Sequence, residues 1–419
     1  MWVQYLSFFI GGSDQECMAG LGKNGRYLGQ LERLLYLCQA KKTREMKRYV
    51  LIAVITVLGA VSFAAQTHKT LREWGFPTGI FNTGTYNAIT DVPGVTVGHV
   101  TLVEGDSVRT GVTAIVPHQG NIFAQKVPAA IYVGNGFGKL AGVTQVSELG
   151  NIETPIILTN TLSVAAGIEG VIRYTLMQPG NEDVRSVNAV VGETNDGRLN
   201  DIGGMHVTPQ MVIEAINKAH SGPVEQGNVG AGTGTICFGF KGGIGTASRV
   251  LPESLGGYTV GVLVQTNYGG ILEIDGVQVG QRLHKHDFIN HVKKSENTDG
   301  SCMMVIITDA PLDSRNLERV AKRAMMGMAK TGGIASNGSG DYVIALSVAP
   351  GNLIDSRAKT VTTTVLANGE MSPIFAATIE ATAEALWNSL FMAEPMTGRN
   401  GYHVDALPVE QVLDMLRNR

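Results

Sequence analysis

Apolar and polar positions divide this chain into short runs of period two, longer stretches of period near 3.6, and glycine-rich joints between them. Thr67–Tyr86 reads as a leader. From Ala88 to Val100 apolar and polar residues alternate, and Pro93-Gly94 in their middle predicts a hairpin turn. Gly111–Pro117 and Ala129–Val133 read as buried strands, as do Pro155–Thr159, Val187–Val191, Tyr258–Gln265, Met303–Ile307 and Tyr342–Ser347. Helices are expected over Leu140–Leu149, Leu162–Met177, Thr208–Ala219, Leu312–Lys330, Pro373–Met392 and Pro408–Leu416. Leu312–Lys330 has the clearest pattern: Leu317, Val320, Ala321, Ala324, Met325 and Met328 recur at helical spacing, which marks these methionines as core. A glycine-rich tract, Gly227–Gly245, frames Thr235–Phe240. Strands and helices intermingle without a compositional boundary, so residues 66–419 read as one α+β or layered α/β body.

One joint is unlike the others. Gln281–Asp299 is polar, basic and weakly patterned, with Lys285, Lys293 and Lys294, and at Met303 the chain turns abruptly apolar. Ser301 stands at that junction behind Gly300, the residue type that best tolerates a strained backbone. A serine hydroxyl attacking its own preceding carbonyl must reach it without side-chain obstruction, which glycine allows. The ester then hydrolyses and leaves Ser301 with a free α-amine. Its unperturbed pKa of about 7.7–8.0 suits a base near neutral pH, and such a nucleophile needs no histidine. Gly300–Ser301 is therefore the expected self-cleavage bond and Ser301 the expected nucleophile, with fragments 66–300 and 301–419. By itself a Gly-Ser pair is ordinary loop material, so the reading depends on the rest of the chain.

The 419 residues are 44% hydrophobic and 16% charged, a globular composition, and a net charge of −3 gives no reason to expect a nucleic-acid partner. Met46-Lys47-Arg48 precedes an apolar core, Tyr49–Val61, and small residues through Ala65, the layout of a secretory signal peptide. The core is too short for a comfortable membrane span. Residues 46–65 thus predict a periplasmic or secreted protein, with Met46 as its start and residues 1–45 as an over-extended reading frame. With translation from Met1, Tyr49–Ala65 serves instead as a signal anchor. Cys17 and Cys38 lie upstream, and the two remaining thiols, Cys237 and Cys302, make no disulfide framework. Cys302, at the head of an apolar run, reads as a packed thiol.

Three polar clusters interrupt the apolar pattern: Glu193–Asp201, Thr266–Tyr268 and Ser336–Asp341. Each alone is ordinary turn material. Brought together they supply a nucleophile (Ser301), an amide donor (Asn267), a hydroxyl–carboxylate pair (Ser339 and Asp341) and a free carboxylate (Glu193). Those groups suit amide hydrolysis, with a donor for developing negative charge and a carboxylate for an ammonium group. Competing motifs are missing or misplaced. No GxxxxGK[ST] or GxSxG occurs, and the tract 227–245 lacks a strand–GxGxxG–helix context. His284, His286 and His291 fall in the polar linker and read as solvated, and no HExxH or cysteine pair supports zinc.

Five ordered stretches together resemble the DmpA family of self-processing aminopeptidases, with the β-peptidyl aminopeptidases as close relatives. They are Ile89–His99, Gly192–Ile202, Val264–Asn267, Gly300-Ser301 with Thr308–Pro311, and Asn337–Asp341. The resemblance spans about Asn87 to Ala393. It implies a four-layer αββα sandwich of the type shared with ornithine acetyltransferases, like that of N-terminal-nucleophile (Ntn) hydrolases. It implies autocatalytic cutting at Gly300–Ser301, Ser301 as nucleophile, Asn267 as oxyanion donor, Ser339 and Asp341 tuning the Ser301 amine and hydroxyl, and Glu193 anchoring the substrate amine. Relatives often carry an aromatic residue where this chain has Asn195, a difference that bears on the acyl-pocket wall and the oxyanion site. The implied substrates are small peptides, amides or esters with an alanine-like N-terminal residue. The implied assembly is a tetramer of processed heterodimers without metal or organic cofactor. Two alternatives accompany this reading: an acyltransferase of the ornithine acetyltransferase type, whose members usually carry threonine at the cut, and a non-catalytic exported binding protein.

Overall fold

Nine main strands and six helices carry the fold in the computed structural model, which describes residues 68–289 and 300–419. The expected signal segment 46–65 with all residues before His68, and residues 290–299 of the polar linker, lie outside the described residues. The strands are β1 (Thr96–Glu104), β2 (Val108–Val116), β3 (Gln125–Gly136), β4 (Ile156–Asn160), β5 (Val190–Thr194), β6 (Ile244–Val250), β7 (Thr259–Asn267), β8 (Ser301–Thr308) and β9 (Gly340–Ser347). The helices are α1 (Val143–Leu149), α2 (Val164–Leu176), α3 (Pro209–Asn217), α4 (Ser314–Lys330), α5 (Met371–Phe391) and α6 (Val409–Arg417).

The first sheet runs β1-β2-β4-β5, closed by the short strand Leu140–Ala141. The second runs β6-β7-β8-β9-β3 and ends on Ile354–Asp355. Each has one parallel pair, β4/β5 and β8/β9, among antiparallel neighbours. A parallel pair needs a crossover, and α2 and α4 provide the two. Alternation along β8 shows how the layers stack. Cys302, Met304 and Ile306 join the cluster that includes Leu317, Val320 and Ala321 of α4 and Ile374 and Ala377 of α5. Met303, Val305 and Ile307 join the other cluster, with Leu158, Val190 and Val191 of the first sheet. That second cluster continues to Val171 of α2 and Val212 of α3. The layers are therefore helices, sheet, sheet, helices, the expected αββα sandwich.

Local chemistry sets the helix starts. Asp313 caps α4 by accepting from Asn316 N (2.9 Å), and Thr208 caps α3 by accepting from Met211 N (3.3 Å) ahead of Pro209. Beneath the leader, the buried Arg249 guanidinium donates to Glu380 (3.0 Å) and Glu384 (2.7 Å), and Arg72 also reaches Glu384 (2.8 Å). Burial pushes the Glu384 carboxyl up, but Arg72 and Arg249 outweigh it and hold the group below its ordinary value.

Several expected elements differ in detail. No hairpin forms at Pro93-Gly94: Ile89–Asp91 is a single 3-10 turn, and β1 begins only at Thr96. The Asp91 carboxylate holds that turn, accepting from Tyr86 N (2.9 Å), Ala88 N (3.0 Å) and Ser248 Oγ (2.7 Å). The hairpin is made instead by β1 with β2. Helix α1 starts at Val143 because Gly142 has φ +90°, and Leu140–Ala141 pair with β5. Strand β5 starts at Val190 and runs on through Glu193 and Thr194. Strand β6 was not expected. Its Gly245 resembles loop glycine in sequence, yet a Cβ there would stand 2.0 Å from Ala385 O, so glycine is what lets α5 lie directly on the strand.

Candidate active site

Two strands end and two begin at one edge of the sandwich, and the polar clusters lie there. Asn267 is the last residue of β7 and Ser301 the first of β8, paired across the antiparallel register. Gly340, the first residue of β9, pairs with Ser301 on its other side. By the alternation of β8, the Ser301 hydroxyl faces the first sheet. There the backbone N–H of Asn195, just past the end of β5, donates to Ser301 Oγ at 3.3 Å. Cys302 faces the helices, fully buried, and burial pushes its thiol well above the ordinary range. It belongs to the core.

The groups around Ser301 are fixed from behind. Gln265 Nε2 crosses between the sheets to Thr194 Oγ1 (2.8 Å) and Thr159 O (3.0 Å). The Asn267 side chain is oriented because its Oδ1 accepts from Ile236 N at 2.9 Å, which leaves the amide NH₂ to point elsewhere. Ser339 Oγ donates to Asp341 Oδ1 at 2.7 Å. Asp341 Oδ2 is buried without a partner among the described residues, and burial pushes this carboxyl up to about 6. The loop carrying Ser339 is pinned by Asn135, whose Nδ2 donates to the carbonyls of Ser336 (2.9 Å) and Ser339. A Cβ on Gly300 would lie 3.1 Å from Ser339 Oγ, and the Gly300 carbonyl accepts from Gly340 N at 3.1 Å. The bond between Gly300 and Ser301 thus has a donor on its carbonyl and little room for a side chain.

Glu193 is not the free carboxylate expected from its position in a turn. It is buried near the end of β5, where Oε1 accepts from Lys139 N (2.9 Å) and Oε2 from the Thr161 hydroxyl. Burial nevertheless holds its carboxyl above the usual range, with the Thr161 hydroxyl and Lys139 N–H opposing the shift. A carboxylate has about four acceptor positions, so room is left for an incoming donor.

The Asn195 side chain folds back, its Oδ1 accepting from Gly197 N (3.0 Å), and only its main chain addresses Ser301. The described end of the polar linker is also more than solvated chain. Lys285, His286 and Asp287 line a cavity of about 400 Å³ together with Asn195 and Asn267. Of the three linker histidines, His286 lines this cavity, and His291 lies outside the described residues. Among those described, no group of three or more His, Cys, Asp or Glu side chains is placed to hold a metal ion.

Residue types alone did not mark the Asn195 and Gly340 N–H groups, because any residue supplies one. Thr161, Lys139 and Asn135 were equally silent.

A sequence profile of peptidase family S58 matches residues 87–404. The β-peptidyl aminopeptidase BapA of Sphingosinicella microcystinivorans is 39% identical over 358 residues, covering 80% of this chain and 88% of that protein. The PH0078 protein of Pyrococcus horikoshii OT3 superposes with a TM-score of 0.77 at 47% identity, over 84% of this chain and 99% of that one. The L-aminopeptidase D-Ala-esterase/amidase of Ochrobactrum anthropi, described as a prototype of the serine aminopeptidases and a variant of the Ntn hydrolase fold, superposes with a TM-score of 0.76. It is 36% identical and covers 83% of this chain and 98% of its own. The DmpA-type resemblance and the Ntn-hydrolase-like sandwich both hold, and the aminopeptidase class takes precedence over the acyltransferase and binding-protein alternatives. The chain belongs to peptidase family S58, and the protein is a hydrolase of the aminopeptidase class.

Proposed function

We propose that this protein cuts its own chain at Gly300–Ser301 and then releases small, alanine-like N-terminal residues from peptides, amides or esters through an acyl-enzyme on Ser301. The observation that carries the reading is the Ser301 hydroxyl at the head of β8, 3.3 Å from the Asn195 N–H and flanked by Asn267 and Gly340. In the first reaction Ser301 Oγ attacks the Gly300 carbonyl, whose oxygen is already held by Gly340 N–H. The C–N bond breaks as the ester forms, which frees the Ser301 amine, and water then cleaves the ester to release the Gly300 carboxylate and restore the Ser301 hydroxyl. Strand β8 stays paired with β7 over its full length, so the two fragments remain one body. We extend the reading to an exported homo-oligomer of such pairs.

In turnover, the substrate ammonium binds Glu193 and the Ser301 amine takes the hydroxyl proton as Oγ attacks the acyl carbonyl. Asn267 Nδ2 and the Asn195 N–H stabilise the oxyanion. Ser339 and Asp341 position the amine. The proton passes to the leaving amine, and water completes hydrolysis. The relatives' names, β-peptidyl and L-amino with D-Ala, support small acyl residues of either geometry.

Two measurements test this reading. Purified protein should hydrolyse alanyl or β-alanyl p-nitroanilide but not the N-acetylated forms; equal rates on both would remove Glu193 as amine anchor. Asn195→Pro, which removes the N–H, should lower kcat by about 10²-fold, whereas Asn195→Ala should cost less than about tenfold, because the donor is main chain. Steady-state kinetics on the two variants decide this, and equal losses would place the effect in the side chain.

A further inference from the structure

Amine recognition does not account for the cavity beside Ser301, and the strand order says which part of a substrate can reach it. Ser301 lies between β9, on the side of Gly340, and β7, on the side of Asn267. Glu193 belongs to the β9 flank. Its Oε1 stands 3.2 Å from where a Gly138 Cβ would lie, and Gly138 Cα is 3.0 Å from where a Gly340 Cβ would lie. The cavity of about 400 Å³ opens on the β7 flank, where Asn267, Tyr268 and Gly269 line it. A substrate whose ammonium sits at Glu193 and whose carbonyl meets Ser301 therefore projects its leaving group into this cavity. That step rests on the Ser301 reading above.

The cavity's charges suit a particular leaving group. Arg198 and Lys285 line it, with His286 and a single carboxylate, Asp287. Among the described residues the Arg198 guanidinium has neither a hydrogen-bond nor an ion-pair partner. The Lys285 ammonium rests 4.0 Å over the Phe240 ring, makes no contact ion pair among the described residues, and feels Asp405 at longer range. Both cations stand on anchored backbone. Lys285 N donates to Gly280 O (2.9 Å) and Asp287 N to Gly270 O (3.0 Å). The turn carrying Arg198 is closed by Leu199 N to Asp196 O (3.1 Å) and Asn200 Nδ2 to Asp196 Oδ1 (3.0 Å). Cavities of roughly this size enclose a small organic ligand. Two cations without a contact ion pair among the described residues, set against one lining carboxylate, favour an anion.

We infer that this cavity is the leaving-group subsite, and that Arg198 and Lys285 receive the α-carboxylate of the departing residue. The favoured substrates are then short peptides with a free C-terminus, above neutral amides of the same sequence.

The test is the ratio of kcat/KM for alanyl-alanine over alanyl-alanine amide, with the β-alanyl pair alongside, because a ratio does not depend on the fraction of active protein. Processed wild-type protein should favour the free acid by about tenfold. In Arg198→Gln and Lys285→Gln the ratio should fall towards one, and Arg198→Lys should keep part of it. A wild-type ratio near one, or a ratio that persists in both glutamine variants, overturns the subsite. Hydrolysis of neither compound, nor of alanyl p-nitroanilide, overturns the Ser301 reading itself and the subsite with it.

Discussion

Ser301→Ala should yield a single uncut chain with hydrolysis reduced by at least about 10³-fold, because one atom serves both reactions. Without Oγ no ester forms at Gly300, so the Ser301 amine stays locked in a peptide bond and no base appears. The loss of one hydroxyl at a buried strand end should change stability by only about 1 kcal/mol. An unchanged thermal midpoint with a single band on a denaturing gel therefore separates lost chemistry from lost fold. Two fragments in the variant would move the cut elsewhere.

Glu193→Gln should behave differently, and the contrast is informative. The amide has nearly the shape of the carboxylate and can still accept from Lys139 N, but it cannot pair with an ammonium ion. Truncating one partner of a buried charge pair costs several kcal/mol, so kcat/KM on amine-bearing substrates should fall by about 10²–10³-fold. Self-cleavage involves no ammonium at that site. The variant should therefore still mature into two fragments. A variant that neither matures nor turns over would make Glu193 a structural member of the β5 end.

Much of this arrangement was legible because burial enforces periodicity. Strand β8 alternates between two apolar cores, which fixes the face of Ser301 and sends Cys302 to the helices. Helix α4 was readable for the same reason, its apolar residues forming one stripe under a capping aspartate. The polar clusters stood out because Asn267, Ser339, Asp341 and Glu193 interrupt runs that are otherwise sealed from water. Their proximity follows from β7, β8 and β9 being neighbours, with the end of β5 facing them from the opposite sheet.

What stayed hidden depends on the main chain or on tertiary fit. The Asn195 N–H at Ser301 and the Gly340 N–H at Gly300 have no side-chain signature. Strand β6 was masked by glycines whose purpose is the close approach of α5. Pro93-Gly94 suggested a hairpin because the local pair suits one, yet the Asp91 carboxylate, bonded to Ser248 Oγ from a distant strand, selected another turn. Lys285 and Asp287 looked like solvated linker, and the Gly280 and Gly270 carbonyls, which draw that backbone to the cavity, carry no side-chain signal.

The most direct measurement is the intact mass of the purified wild-type protein under denaturing conditions, with N-terminal sequencing of the smaller species. The account predicts two chains, the smaller beginning Ser301-Cys302-Met303-Met304 and ending at Arg419. A single active chain with Gly300 still joined to Ser301 would contradict it, since the base proposed for turnover would not exist.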